Sequence, residues 1–177
     1  TPADPERAAA MARAASQVSH DGVAVEAAVL LAAMEAQAFV ERDIDTLIDL
    51  GISLSRNDAL HRAVGDLREQ CAKANHWRQV RDWLEANHSY GHYKGPCPMM
   101  PNHLLLLASI ILGGDDLQKG LSIAVSSGWD TDCNAGNLGC FNGIRLGMAA
   151  FDQGPDYRTP VADLMYVVGA DGGECLS

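Results

Sequence analysis

The 177-residue sequence predicts an all-α protein, a compact orthogonal multi-helix bundle forming a single domain over residues 1–177. Three observations carry this. Every strong apolar period lies near 3.6 residues and none near 2, so the segments read as helices rather than strands. The chain is 47% hydrophobic but only 6% aromatic and rich in alanine, the profile of a soluble helical protein. Its length allows about 70% of the unfolded surface to be buried, enough for a real core.

Taken in order, Pro5 to about Gln17 is an Ala- and Arg-rich amphipathic helix. Ser19-His20-Asp21-Gly22 interrupts it, because Ser and Asp are capping residues and Gly breaks the pattern. From Val23 to about Val40 the chain is apolar nearly all round, including Phe39, and this marks the central helix. A short helix from Asp43 to Leu50 closes at Gly51. Leu60, Val64, Leu67 and Cys71 step by three and four along Asp58 to about Lys73, and Trp77, Val80, Trp83 and Leu84 do so in the next helix.

The pattern fails from Asn87 to Asn102, where three prolines, two glycines, two histidines and two tyrosines gather. A loop of that length in a compact domain is usually functional. Tyr90, His92 and Tyr93 offer faces for stacking on a purine or ribose. His103 to Leu112 then reads as an apolar helix and Asp116 to about Ser126 as an amphipathic one, with Gly113-Gly114-Asp115-Asp116 between them as C-cap, turn and N-cap. Past the last helix, Asp152 to Asp156 is a loop, and the tail from Thr159 carries little pattern.

Gly128-Trp129-Asp130-Thr131-Asp132-Cys133-Asn134-Ala135-Gly136 sets two carboxylates two residues apart on a turn before a Gly-rich helix. Asp132 reads as the N-cap, and one Asp suffices for that. Two acids crowded on a turn repel unless a cation neutralises them, and carboxylate oxygens suit a hard ion such as Mg²⁺, Mn²⁺ or Ca²⁺. Gly136, Gly139, Gly143 and Gly147 recur at helical spacing, at about 1 kcal/mol each in a helix interior. Such a stripe leads us to expect another backbone packed closely against that helix.

The net charge of −10, with no Lys/Arg cluster, argues against a nucleic-acid surface. No apolar run reaches membrane-spanning length. Five cysteines, Cys71, Cys97, Cys133, Cys140 and Cys175, form no C-x-x-C pair, which favours a reducing, cytoplasmic setting over a disulfide framework. Cys133 and Cys140 read as small core residues of the Gly-rich helix.

The run Gly128 to Asn137, preceded by Gly113-Gly114-Asp115-Asp116 and followed by spaced glycines, resembles the ADP-ribosylglycohydrolase family, which includes the dinitrogenase-reductase-activating glycohydrolases and a lens crystallin. The resemblance implies a centre of two ions, Mg²⁺ or alternatively Mn²⁺, that hydrolyses the C1″ glycosidic bond of ADP-ribose in a modified protein or small conjugate. It implies Asp130 and Asp132 as catalytic residues and metal ligands. It adds Cys133 at a place where many members carry a ligating Thr or Ser; a thiol is a softer, poorer Mg²⁺ ligand. His20, Asp21 and Gly22 match the family's start of the central helix beside the substrate, and Asn134 of the acidic motif joins them in the substrate-binding set with Tyr90. Asp115 and Asp116 read as capping residues, and His103 as a residue of a helix start with family counterparts.

The family's early Gly-Asp-x-x-Gly turn and Thr-Asp-Asp motif, which supply further metal ligands, have no counterpart in the sequence. The resemblance thus covers the C-terminal part of the family domain, and Ala170-Asp171-Gly172-Gly173 reads as a place where a family sequence continues. The expectation is a C-terminal piece that partners a missing N-terminal segment and is catalytically poor alone. The alternative is a non-catalytic ADP-ribose-binding or structural crystallin-like member. No spacing supports Cys133 as a nucleophile with His20 as its base.

Overall fold

The structure, a computed structural model, describes residues 1–162 and two short strands beyond them. Eight α-helices are described: α1 (Pro5–Ser16), α2 (Gly22–Gln37), α3 (Ile44–Leu54), α4 (Asp58–Lys73), α5 (Trp77–His88), α6 (Met99–Gly113), α7 (Leu117–Ser126) and α8 (Thr131–Leu146). β1 (Leu164–Tyr166) pairs antiparallel with β2 (Glu174–Leu176). The all-α expectation holds for the domain. The Ala170 to Gly173 segment and the Cys175 side chain lie outside the described residues. No described helix is long and apolar enough to cross a membrane.

Cap chemistry explains several boundaries. Asp43, Asn57 and Asp116 each accept a hydrogen bond from a backbone N–H three residues on, at 2.8, 2.9 and 2.9 Å, which satisfies an otherwise orphaned donor of α3, α4 and α7. Asp115, read from sequence as a second capping residue, instead accepts from the Arg145 guanidinium at 2.7 Å. Arg145, 2% exposed, also donates to the carbonyls of Gly114 and Arg42, so it ties the end of α8 to the α6–α7 turn and to the chain before α3.

The most enclosed helix is α6. Every residue from Met100 to Ile110 is buried, and the helix packs against α2, α4, α5, α7 and α8. Sequence patterning placed Val23 to Val40 at the centre; α2 shares the core with α6, but it ends at Gln37 and leaves Phe39 52% exposed. The apolar run of α6 also begins four residues earlier than its periodicity suggests. Pro101 is tolerated in the first turn because the N–H it lacks there needs no intrahelical partner.

Two glycines behave differently from their sequence reading. Gly51 does not close α3, which runs on to Leu54; a Cβ there would lie 2.9 Å from both Leu30 Cγ and Leu30 O, so Gly51 lets α3 lie against α2. The stripe on α8 makes no close backbone approach: a Cβ at Gly136 or Gly139 would meet nothing within 4 Å, and one at Gly143 would meet only the Phe151 ring. The close approach belongs to α6 and α7, where a Cβ on Gly113 would stand 2.7 Å from Gly120 Cα.

Inside α6 sits His103, 3% exposed, with an unpartnered Nε2. Burial disfavours the imidazolium and pushes its pKa down to about 4 from 6.5.

Two outcomes follow from this packing. Gly113→Ala forces a methyl into the Gly120 backbone, so it should cost roughly 1–3 kcal/mol and lower Tm by several degrees. An unchanged melting temperature would contradict the contact. His103 is neutral when folded, whereas the unfolded chain takes up a proton near pH 6.5. Stability conferred by keeping it neutral is therefore complete above that pH and declines as pH falls towards 4. Denaturant titrations across that window should show wild type losing about 3 kcal/mol more than His103→Leu. Parallel curves would show the imidazole is not buried neutral.

Candidate active site

The acidic turn begins with two successive residues in the left-handed region, Gly128 at φ 77° and Trp129 at φ 64°. For Trp129 that backbone is strained by about 1–3 kcal/mol, so its surroundings must hold it. They do so from two elements. The Arg81 guanidinium of α5 lies 4.0 Å from the Trp129 ring centroid, and its Nε donates to Ser127 O at 2.6 Å. Tyr90, from the short 3₁₀ turn Tyr90–His92, stacks on Trp129 at 5.5 Å and 23°.

This turn delivers Asp130, not Asp132, to the N-cap position of α8. The Asp130 carbonyl accepts the first helical bond, from Asn134 N at 3.1 Å, while its carboxylate caps nothing. Asp132 falls inside the first turn, a correction to its reading as the cap; the two left-handed residues start the helix two residues earlier than the motif suggests.

Three candidate ligand atoms, one each from Asp130, Asp132 and Cys133, lie within 4.8 Å of one another. Asp132 is held below the usual carboxylate range by a hydrogen bond with Asp130, then by the backbone N–H groups of Asp132 and Cys133. The two carboxyl groups and the thiol offer a donor set that could hold a cation. The Cys133 thiol is raised by its hydrogen bond to the Asp130 carboxylate and by that group's charge. Cys133 and Cys140 are both exposed, so the core role read for them from sequence does not hold; each faces a carboxylate, Asp130 or Glu35.

Behind the turn opens a cleft of about 530 Å³ between α2, α6 and α8, lined among others by His20, Glu35, Cys97, His103, Asp130 and Asn134. No Lys or Arg belongs to its lining. Asn134, 3% exposed, has an Nδ2 without a partner, as His103 has an Nε2. Unpartnered buried polar groups are rare and costly, and here two line one cavity. Glu35 on α2 is raised above the ordinary carboxyl range by burial, while a hydrogen bond with Cys140 lowers it.

Of the residues singled out by sequence, His20, Asp130, Cys133 and Asn134 share this cleft, with Asp132 beside it at the acidic turn. Asp21 and Gly22 line an adjoining groove of about 480 Å³, which His20 also borders. Tyr90 is not in the cleft lining; its hydroxyl is engaged with Asn102 and its ring with Trp129. Sequence reasoning missed Glu35, Cys97, Asn102 and His103 as cleft residues. The adjacent polar pair Asn102-His103 heading an apolar run was a usable signal; Glu35, one acid in an Ala-rich helix, offered none.

Asn102 deserves its place among the missed residues. It is 5% exposed, its Oδ1 accepts from Asp130 N at 3.2 Å, and its Nδ2 donates to Tyr90 Oη at 2.8 Å and Pro98 O at 3.0 Å. One amide thus joins the loop before α6 to the acidic turn.

No curated protein and no solved structure matches the chain significantly. The family model for ADP-ribosylglycohydrolase matches residues 1–169, which takes in every element from α1 to α8 and the whole cleft. On that match, the chain belongs to the ADP-ribosylglycohydrolase family.

Proposed function

We propose that this cleft hydrolyses the C1″ glycosidic bond of ADP-ribose in a modified protein or a small ADP-ribose conjugate, using a divalent cation held at the acidic turn. The observation that carries the reading is the convergence of the Asp130, Asp132 and Cys133 ligand atoms within 4.8 Å beside a cavity with two unpartnered buried polar groups. Mg²⁺ or Mn²⁺ suits the carboxylates. Such a cation, when bound, polarises ribose hydroxyls and lowers the pKa of a coordinated water.

The chain's own residues supply the rest. Asp130 is fixed by its backbone bond to Asn102 and keeps a carboxylate free of capping duty. Glu35, raised by burial on the opposite helix, is suited to carry and give up a proton inside the cleft. His103 and Asn134 offer hydrogen bonds to an uncharged hydroxyl-bearing group, since a neutral imidazole and an amide favour that over a charge. His20 borders both the cleft and the neighbouring groove, where a conjugate's far end would emerge.

A second reading is supported by one observation. A two-ion centre draws ligands from separate segments, and the described residues hold a single such cluster. A protein that binds ADP-ribose without turnover, or a site completed by another segment, accords with that.

Asp132→Asn separates these readings, because the amide keeps the acceptor oxygen that the helix start uses and removes the charge a cation needs. Calorimetry with Mn²⁺ should show affinity falling at least tenfold, of the order seen when metal-site partners are lost. The metal-free melting temperature should hold or fall slightly, because hydrogen bonds from Asp130 and the backbone favour the Asp132 carboxylate in the folded state. Release of ADP-ribose from a modified protein should fall with the affinity. Retained Mn²⁺ affinity would end the metal assignment, and tight ADP-ribose binding by wild type without release would favour the binding reading.

A further inference from the structure

Two helix starts meet behind the acidic turn. Asn102 Oδ1 accepts from Asp130 N at 3.2 Å, and this bond holds the first turn of α6 beside that of α8. His103 on α6 and Asn134 on α8 both line the cleft, and each is 3% exposed. His103 Nε2 and Asn134 Nδ2 have no hydrogen-bond partner. A buried polar atom left unpaired is costly, so two such residues lining one cavity point to a ligand that completes them. Its chemistry follows from what each atom can accept. Asn134 Nδ2 only donates, so the ligand must bring an acceptor; an ammonium or guanidinium has none. An ionised phosphate brings acceptors but meets the carboxyls of Asp130 and Glu35, with no Lys or Arg in the lining to offset them. His103 does not supply that charge, because burial keeps its imidazole neutral. A hydroxyl both donates and accepts, so it answers Asn134 and either tautomer of His103. The remaining walls are largely aliphatic, with Ala28, Leu31 and Ala32 on α2 and Leu106 on α6, and no described Phe, Tyr or Trp belongs to the lining. Such walls suit a saturated ring better than a flat base that stacks on an aromatic face.

We propose that the floor of this cleft is a cation-independent subsite for an uncharged sugar ring, with His103 and Asn134 each bonding a ring hydroxyl. The inference deepens the proposed function and rests on it only for the cleft being the ligand site; it needs no metal at the acidic turn. At about 530 Å³ the cleft has room for such a ring and a glycosidic substituent. An unphosphorylated riboside is then a ligand in its own right, and the metal-free protein prefers it to the phosphorylated form. The preference comes from charge, since the same walls that meet a neutral ring without penalty repel a phosphate.

The test uses the whole chain in EDTA, titrated with methyl β-D-ribofuranoside and with its 5-phosphate, and followed by amide chemical shifts. Wild type should bind the riboside saturably without a metal and the phosphate several-fold more weakly. His103→Leu and Asn134→Ala should each weaken riboside binding roughly tenfold, since each removes one hydrogen bond in a site poor in water. His103→Leu replaces an unpaired nitrogen by an apolar side chain, so it should melt at or above wild type near pH 7, which excludes misfolding as the cause. No saturable riboside binding by wild type overturns the inference. So does binding that both variants leave unchanged, or an equal affinity for the phosphate. A separate Mn²⁺ titration keeps the two readings apart. Riboside binding without Mn²⁺ affinity sinks the cation site and leaves this inference standing, whereas Mn²⁺ affinity without riboside binding does the reverse.

Discussion

The buried amide of Asn102 is the constraint on which the site depends. Its oxygen takes the backbone N–H of Asp130 and its nitrogen serves Tyr90, Pro98 and Cys97, so both ends of one side chain are committed. An amide offers two donors and an acceptor in one rigid plane, and no apolar residue could join these strangers in sequence. The position of the plane is in turn set by α6, whose first turn is buried against the core. Rigidity passes from the apolar packing of α6 to the amide, and from the amide to the carboxylate of Asp130. Loops carry function well when a stable element fixes them, and here Asn102 of α6 makes that link beside Arg81 of α5.

Local rules are broken mostly around this point. Trp129 adopts a backbone that L-residues avoid, and Arg81 and Tyr90 must hold it there. His103 and Asn134 bury atoms without partners. Each would be a defect in a chain selected for stability alone. Asn142 also has an unpartnered Nδ2, but its Oδ1 accepts from Arg145 at 3.1 Å, and it lies away from the cleft lining, within the brace at the far end of α8. Its orphan atom is best read as the residue of a structural hydrogen bond. The same symptom therefore has two meanings, and the neighbours decide between them.

What the sequence made legible follows the same division. Helices α4, α5 and α7 were visible because their apolar residues recur near 3.6, with Asn57 and Asp116 marking the starts of α4 and α7, and α2 and α6 were visible as nearly unbroken apolar runs. The acidic turn was visible because two carboxylates so close need a reason. Glycines misled. Gly51 read as a stop because Gly usually ends helices, yet the side chain of Leu30 fills the space a Cβ would need. The stripe on α8 read as a packing seam and is not one, whereas the real seam sets Gly113, taken for a C-cap, against Gly120, which the sequence did not single out. Period tells which face is apolar; it does not tell which neighbour arrives. For the same reason Glu35 and Cys97 were invisible as cleft residues, since their significance comes from α8 and Asp130, more than thirty residues distant in the chain.

Charge makes the last connection. The cleft lining contains Asp130 and Glu35 and no Lys or Arg, within a chain of net charge −10. A ligand carrying a diphosphate would meet repulsion there, and surface cations too distant to enter the lining are screened over about 10 Å. Two devices can reverse the sign locally. A bound divalent cation is the largest charge such a site can hold, and it inverts the electrostatics around it. Burial that raises Glu35 also lets that carboxyl carry a proton and so drop its charge when a ligand excludes water. The helix start of α8 adds a smaller positive contribution beside Asp130 and Asp132. Without a cation, then, the lining favours neutral hydroxyl-bearing groups; on the proposed function, a bound cation would let the same walls accept an anion at the mouth and a sugar ring within. On the proposed function, a cation would bind first and the ligand second, because the acidic turn would repel an anionic ligand until a cation had offset its charge.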